Sequence, residues 1–193
     1  MRRLPRRFFA VDSRELAPLL LNKVLVHGER AGRIVEVEAY AGEADPASHA
    51  FRGRTPRNAT MFGPPGHLYV YFTYGMHYCA NVVCGPDGEA SAVLLRGLTP
   101  LTGLDAMRAA RGPAGRVDRD LCNGPGKLCQ AFGLDRTFDG ADLVPGDRGV
   151  KLLDDGTAPP ARPGLSGRVG ISVATDVPGR FYVPGAVGLS RTR

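Results

Sequence analysis

Alternation of apolar and polar residues, the period of a half-buried strand, dominates the middle of the chain. Turn residues separate the alternating runs, and two of the runs lie on either side of a Tyr-Gly-Met turn, as in a hairpin. The predicted strands are Val24–His27, Arg33–Tyr40, Tyr69–Tyr74, Met76–Val83, Ala92–Arg96, Arg168–Val173 and Arg180–Val183.

Helical periodicity is confined to short stretches. Ser13 can cap one helix, a second opens at Pro100 and runs to about Arg111, and a third has Asn123 as its cap and Gly133 as its stop. The apolar face of the first helix consists of Leu16, Leu19 and Leu20.

The order of these elements indicates the fold class. Strands and helices do not alternate as βαβ units, so the sequence predicts an α+β domain on a curved, mostly antiparallel sheet. A chain of 193 residues fits one domain, residues 1–193, with a real core. Residues 41–67 form a long loop, and loops of this length are usually functional. The Pro- and Gly-rich stretch Asp154–Gly167 is expected to be mobile.

Composition is that of an ordinary globular protein, with 43% hydrophobic and 23% charged residues. No apolar run approaches the roughly 18 residues of a membrane span. The basic start Met1–Arg7 is not followed by an apolar signal region, so we expect a cytoplasmic protein without membrane contact.

A net charge of +6 and a pI of about 9.5 favour a polyanionic partner. Only 3 of the 25 basic residues are lysines. Arginine forks suit phosphate, but a general Arg-, Ala-, Gly- and Pro-rich bias explains most of this ratio. The cysteines have spacings that match no zinc or redox motif, which predicts reduced, mostly buried thiols. They are Cys79, Cys84, Cys122 and Cys129.

Two carboxylates occur on the strand Arg33–Tyr40. Alternation places Glu36, Glu38 and Tyr40 on one face together with Ile34, and it turns the valines and Ala39 towards the core. The two carboxylates, with Cβ atoms roughly 7 Å apart, could act as an acid and a base in glycoside hydrolysis or could form a solvated strand face.

Four of the six tyrosines fall within residues 69–78. Tyr71 shares a face with Tyr69, whereas Phe72 points the other way and is expected in the core. Tyr74 is beside the turn glycine, where small polar residues are usual. Rings of this kind stack on nucleobases or attract cations over their faces.

Together these residues resemble the alkyladenine (3-methyladenine) DNA glycosylase family, in its bacterial form. The matching segments follow the family order and cover nearly the whole chain. They are Arg33–Tyr40, Ser48-His49, Thr55–Asn58, Met61-Phe62, Gly66–Tyr71, Tyr74–Met76, Cys79–Asn81, Val93–Arg96, Leu121–Ala131, Arg168–Gly170 and Arg180–Val183. The resemblance implies a single mixed domain with peripheral helices and a hairpin that protrudes into the DNA minor groove.

The resemblance also implies a hydrolytic site. Glu38 would be the general base for a water that attacks C1′, Arg96 would hold the carboxylate and the water, and the carbonyl of Val169 would be the third ligand of that water. Glu36 receives no role from the family and is expected to be supporting or exposed.

The family's base-binding residues map onto the aromatic ones. The extruded base would lie between Tyr71 on one side and Tyr40 and His49 on the other, with Asn81 rejecting the guanine 2-amino group. Tyr74 would wedge into the gap in the duplex. The residues implied for the DNA backbone are Arg57, Asn58, Met76, Gly124 and Lys127.

The implied partner is double-stranded DNA with damaged purines, bound by a monomer associated with the nucleoid. No lysine is expected near the acid strand, so the resemblance implies a monofunctional enzyme that needs no cofactor or metal. Two other classes stay open from the residues alone, namely a non-catalytic sensor of distorted DNA and a small-molecule glycoside hydrolase. His77 departs from the aromatic residue that often follows the Tyr-Gly-Met turn.

Overall fold

The computed structural model describes residues 1–190, and the last three positions of the expected 1–193 domain lie outside the described residues. Nine strands form one antiparallel sheet. They are β1 (Arg2–Arg3), β2 (Val24–His27), β3 (Arg30–Tyr40), β4 (Leu68–Thr73), β5 (His77–Val83), β6 (Ala92–Thr102), β7 (Val150–Asp154), β8 (Gly164–Gly167) and β9 (Pro178–Tyr182).

The helices are short and peripheral. They are α1 (Arg6–Phe9), α2 (Ser13–Leu20), α3 (Leu104–Arg111) and α4 (Pro125–Phe132). Single 3₁₀ turns at Gly42–Ala44 and Ala59–Phe62 interrupt the long loop before β4. The predicted α+β class on a curved antiparallel sheet is confirmed, and within residues 1–190 no helix has the length and apolarity to cross a membrane.

Strand β3 is the centre of the sheet. Along one path the strand order is β1-β7-β2-β3-β6-β5-β4, and β9 pairs with the second half of β3 while β8 pairs with β9. The first half of β3 pairs with β2, and its whole length pairs with β6. Residues on the second half of β3 therefore have strands on both sides, which fixes their position well.

Both faces of the sheet are covered. One face packs against α2, α3 and α4 in the larger core, whose members include Leu16, Leu95 and Phe132. The long loop covers part of the other face, where Met61 and Tyr69 pack in a smaller cluster. The alternation along β4 thus sends Leu68 and Val70 to one core and Tyr69 to the other, as strand geometry requires.

A bulge in β3 corrects the predicted face assignment. The register against β6 shifts between Ile34 and Glu36. Ile34 consequently joins Val37 in the larger core, whereas Val35 is buried outside it. An extra residue in one strand reverses the in–out alternation of side chains before it. A strict period of two therefore assigns Ile34 and Val35 to the wrong faces.

The helix ends also differ from the predicted ones. The side chain of Asp12, not Ser13, caps α2 by accepting a hydrogen bond from the N–H of Arg14. Gly124, not Asn123, precedes α4, while Gly133 ends it in the left-handed conformation as predicted. Leu19, expected on the apolar face of α2, is exposed.

Several segments take a conformation other than the predicted one. Pro100 lies inside β6, and the helix expected from it begins at Leu104. Residues 168–173 form bends rather than a strand. The stretch expected to be mobile contributes β8 and the end of β7. All four cysteines are buried free thiols, as expected.

Candidate active site

A pocket of about 370 Å³ opens beside the β4–β5 hairpin, in the size range of small-ligand sites. Its wall gathers residues from β3, the long loop, the hairpin, β6 and the loop that follows Arg168. Seven of the residues implied by the resemblance line it, and they are Tyr40, His49, Tyr71, Tyr74, Asn81, Arg96 and Val169.

Glu38 lies directly behind this wall and is fully buried. Its Oε1 accepts a 2.7 Å hydrogen bond from the backbone N–H of Val169 and lies 3.3 Å from Nη1 of Arg96. Its Oε2 accepts a 2.9 Å hydrogen bond from the hydroxyl of Tyr40. All three partners line the pocket, so the carboxylate is one layer away from whatever the pocket binds.

Burial raises the pKa of Glu38, and the charge of Arg96 together with the hydrogen bonds from Val169 and Tyr40 opposes that rise. The net direction is upward, towards the range in which a carboxylate serves as a proton acceptor near neutral pH. A carboxylate with these surroundings beside a pocket has the character of a general base.

Glu36 is also fully buried, which corrects the expectation that it could be exposed. Its oxygens accept hydrogen bonds from Nε of Arg96 at 3.0 Å and Nε of Arg180 at 2.7 Å, and from the backbone and side chain of Ser190. Burial alone would raise the pKa of Glu36, but the Ser190 and Arg180 hydrogen bonds and the Arg96 charge hold it below the usual value. A carboxylate sealed in this way cannot serve as the second acid of a sugar hydrolase.

The rings of His49 and Tyr71 lie against each other, not on opposite sides of a base as the resemblance implied. The His49 and Tyr71 rings touch edge to face, with centroids 4.4 Å apart and planes at 72°. A stacked base contacts the ring on each side of it at about 3.5–4.0 Å, so no base fits between these two rings. His49 and Tyr71 therefore lie on the same wall of the pocket, which Tyr40 also lines.

Tyr40 has only one free face. The guanidinium of Arg168 covers the other at 4.8 Å from the ring centroid. Arg168 is itself buried and pairs with Asp45 and with the carbonyl of Ala39. This cation–π contact fixes the ring of Tyr40 from behind. Arg168 belonged to a matching segment, but the pattern of the sequence did not show that it stacks on Tyr40.

The pocket rings are uncharged near neutral pH. Burial raises the pKa of Tyr40 and Tyr71 far above the ordinary value and that of Tyr69 to about 12. Desolvation against the rings and the charge of Arg57 lower the pKa of His49, although the residue is exposed overall. The neutral π-faces suit a flat ligand and are compatible with a cationic one.

The hairpin tip projects into solvent. The Tyr74 side chain is 80% exposed, and Met76 is 69% exposed. Tyr74 and Gly75 both have positive φ, 50° and 65°, as in the type I′ turns that suit the twist of hairpins. Phe72, expected in the core, is 47% exposed, and its ring packs against that of Tyr78. The tip thus presents an unusual apolar surface.

The residues implied for the DNA backbone fall into two groups around the pocket mouth. Arg57 is exposed and lies 5.9 Å from the ring centroid of Tyr71. Gly124 and Lys127 lie at the start of α4, next to Pro125, which lines the pocket. The Lys127 ammonium donates a hydrogen bond to Asn123 in the structure.

Asn58 does not have the expected geometry for a phosphate contact. Its side chain is buried and its amide donates to the carbonyls of His49 and Gly53 while its oxygen accepts from the N–H of Thr55. Three of the four hydrogen-bonding positions of the amide are used inside the protein. Asn58 therefore fixes the loop that carries His49.

Comparison with known proteins gives the family of the chain. The family model of methylpurine-DNA glycosylase matches residues 7–187. A protein of Burkholderia lata is 61% identical over 183 residues, which are 94% of this chain and 88% of the relative. A protein of Chlorobaculum parvum is 46% identical over 198 residues, 100% of this chain and 93% of the relative. Both relatives carry the name "Putative 3-methyladenine DNA glycosylase".

The protein is a DNA glycosylase, a DNA-repair hydrolase that cleaves N-glycosyl bonds. Within that class the chain belongs to the methylpurine-DNA glycosylase family, which confirms the resemblance drawn from the residues.

Proposed function

We propose that the protein flips alkylated purines, those of the 3-methyladenine class, out of duplex DNA and hydrolyses the N-glycosidic bond with a water activated by Glu38. The observation that carries this proposal is the position of Glu38, held between Arg96 and the Val169 N–H directly behind an aromatic pocket. The names of the relatives support the substrate class.

Extrusion of the base follows from the shape of the site. A pocket bounded by protein on most sides can take a base only after the base has left the stack. Tyr74 at the exposed tip is a flat apolar side chain of the kind that fills the gap, which offsets part of the unstacking cost of a few kcal/mol.

Recognition of the base would use the aromatic rings of the pocket. The purine stacks between the free face of Tyr40 and the wall formed by His49 and Tyr71. Alkylation at N3 or N7 makes the purine cationic, and a cation over electron-rich rings gains roughly 2 kcal/mol when desolvated. Asn81 donates a hydrogen bond to the carbonyl of Tyr69 and lines the pocket, where it can conflict with a guanine 2-amino group.

Hydrolysis would proceed with the Glu38 carboxylate ionised. The carboxylate removes a proton from a water as the water attacks C1′, and its negative charge stabilises the oxocarbenium-like transition state. Burial raises the pKa of Glu38, and the charge of Arg96 opposes that rise by favouring the ionised carboxylate. Val169 lines the pocket and donates its N–H to Glu38, and its carbonyl would orient the same water.

The reaction would end at an abasic site. No lysine lines the pocket within residues 1–190. Lys23 is paired with Asp154, and Lys127, near the start of α4, donates a hydrogen bond to Asn123. We therefore expect no Schiff-base step and a water route without a cofactor. The complete set of side chains comes from one chain, so we propose a monomer that acts on DNA in the cytoplasm and at the nucleoid.

The experiment that tests this proposal incubates the protein with a methylated duplex and follows two products. Free methylated purine should appear together with abasic sites, and the strand should break only after an added amine or base. Binding to the duplex without released purine would instead favour a sensor of distorted DNA, and strand breaks without the amine would contradict the monofunctional mechanism.

A further inference from the structure

Glu36 has no contact with the pocket, yet it is the most heavily hydrogen-bonded carboxylate of the site. Three donors converge on its Oε1, namely Nε of Arg96, Nε of Arg180 and the hydroxyl of Ser190, at 3.0, 2.7 and 2.6 Å. Its Oε2 accepts from the backbone N–H of Ser190 at 2.5 Å. A buried charge is tolerated only when it is paired in this way, so the cluster forms as a unit.

The guanidinium of Arg96 is divided among three partners. Its Nε donates to Glu36, its Nη2 donates to the Ser190 hydroxyl at 3.2 Å, and its Nη1 lies 3.3 Å from Glu38. Ser190 therefore touches both Glu36 and Arg96. Because Glu36 and Ser190 fix Nε and Nη2 of this planar group, Nη1 has one orientation, in which it faces Glu38.

Ser190 reaches this cluster because the segment after β9 runs closely along β6. The hydroxyl of Thr99 donates to the carbonyl of Val187, and the backbones of Gly97 and Gly188 pack without room for a side chain. A Cβ on Gly97 would lie 2.4 Å from the carbonyl oxygen of Gly188, and one on Gly188 would lie 2.3 Å from that of Leu98. The two glycines are what allow the C-terminal segment to approach the site.

We propose that Ser190 is a positioning residue of the hydrolytic site, which holds Arg96 against Glu38 both directly and through Glu36. The inference rests on the proposed role of Glu38 as the base. It makes the C-terminal segment a part of the active site, although Ser190 lies 94 residues after Arg96 in the chain and does not line the pocket.

The test compares Ser190→Ala with Ser166→Ala in the full-length protein. Ser166 accepts a hydrogen bond from the other side of Arg180 and does not touch Arg96, so it is a matched control. With enzyme in excess over a methylated duplex, Ser190→Ala should release base about tenfold more slowly, because two charge-assisted hydrogen bonds are lost. Its affinity for abasic DNA should change less than about twofold, since no DNA contact is removed. Ser166→Ala should behave like the wild type.

A double-mutant cycle adds a readout that a general loss of stability would not give. Glu36→Gln alone should also slow base release. In the variant that carries both Ser190→Ala and Glu36→Gln, the fold reduction in release rate should be much smaller than the product of the two single reductions, because both residues act on Arg96. A wild-type rate for Ser190→Ala, equal losses for both serine variants, or multiplicative losses in the cycle would overturn the inference. Glu38→Gln, assayed in parallel, separates the two claims, because an active Glu38→Gln variant contradicts the proposed base itself.

Discussion

The hydroxyl of Tyr40 donates a 2.9 Å hydrogen bond to Oε2 of Glu38, two residues earlier on the same strand. The ring of Tyr40 lines the pocket and Glu38 does not, so the residue proposed to stack on the base also touches the residue proposed to hydrolyse it. The side chain of Tyr40 thus connects the proposed site for the purine with the proposed general base.

Tyr40→Phe should separate these two roles. The variant keeps the ring but removes a hydrogen bond that lowers the pKa of Glu38, so that pKa should rise further above its usual range. A general base must be ionised, and activity is therefore lost as the pH falls through the pKa of Glu38. The acid limb of the single-turnover pH profile should move to higher pH in Tyr40→Phe.

The control for that profile is Tyr69→Phe. The Tyr69 hydroxyl is hydrogen bonded to His49 at 3.1 Å and does not contact Glu38. The acid limb of the Tyr69→Phe pH profile should coincide with that of the wild type. Coincident limbs for all three proteins would show that the Tyr40 hydroxyl does not tune Glu38.

Glu36→Gln should destabilise the fold in a pH-dependent way. The pKa of Glu36 is depressed in the folded protein, so its ion pairs stabilise above the unfolded pKa, and that contribution is lost as the pH falls through the folded value. Removing one partner of such a buried cluster costs about 3 kcal/mol. In urea unfolding, the gap between wild type and variant should be large at pH 7 and should narrow on acidification below pH 4.5, the ordinary value of this carboxyl. A gap that does not change with pH would contradict the depressed pKa.

Tyr74→Asn should raise stability and lower activity together. Tyr74 has φ of 50°, which an ordinary side chain adopts at a cost, whereas Asn-Gly is the preferred pair for this turn. We expect a gain of about 1 kcal/mol in urea unfolding, because Asn adopts the left-handed conformation at less cost than Tyr. Loss of the wedge should weaken flipping. Relative to the wild type, the variant should therefore release the base more slowly from paired duplex, with a smaller loss of rate on single strands.

A surface control for the Tyr74 prediction is Leu165→Ala, which also removes an exposed apolar side chain, one that does not line the pocket. It should leave the rates on both substrates unchanged. Wild-type release by Tyr74→Asn from paired duplex would show that Tyr74 is not the wedge.

Asn81→Ala should relax selectivity against purines that carry a 2-amino group. The side chain lies at the pocket wall, and rejection by an unmatched polar group is lost when that group is removed. The measurement is the ratio of release rates for methylated adenine and methylated guanine, which should fall about tenfold. An unchanged ratio would assign the discrimination to another residue.

The sequence was sufficient for the family and the fold class, and it named seven of the residues that line the pocket, because local motifs such as Arg33–Tyr40 and strand periodicity carry this information. It failed where an interaction depends on distant parts of the chain. The bulge in β3 reverses the alternation before Glu36, and the partners that seal Glu36 come from β6, β9 and Ser190. Phe72 follows an apolar pattern but lies beyond the edge of the core, where the hairpin leaves the body of the protein.

The arrangement of rings could not be obtained from the order of the residues either. His49 comes from the long loop and Tyr71 from β4, and only the folded structure shows that their rings touch. Arg168 contacts Tyr40 from a segment that has no regular pattern. Such contacts depend on packing across the sheet, which periodicity does not encode.

The most direct measurement of the central claim is single-turnover release of methylated purine by Glu38→Gln. The amide fits the same space and keeps the hydrogen-bond partners near it, but it cannot accept a proton from water. We predict release at least about a thousandfold slower than by the wild type, with abasic DNA still bound at near wild-type affinity. Normal release by Glu38→Gln would contradict it.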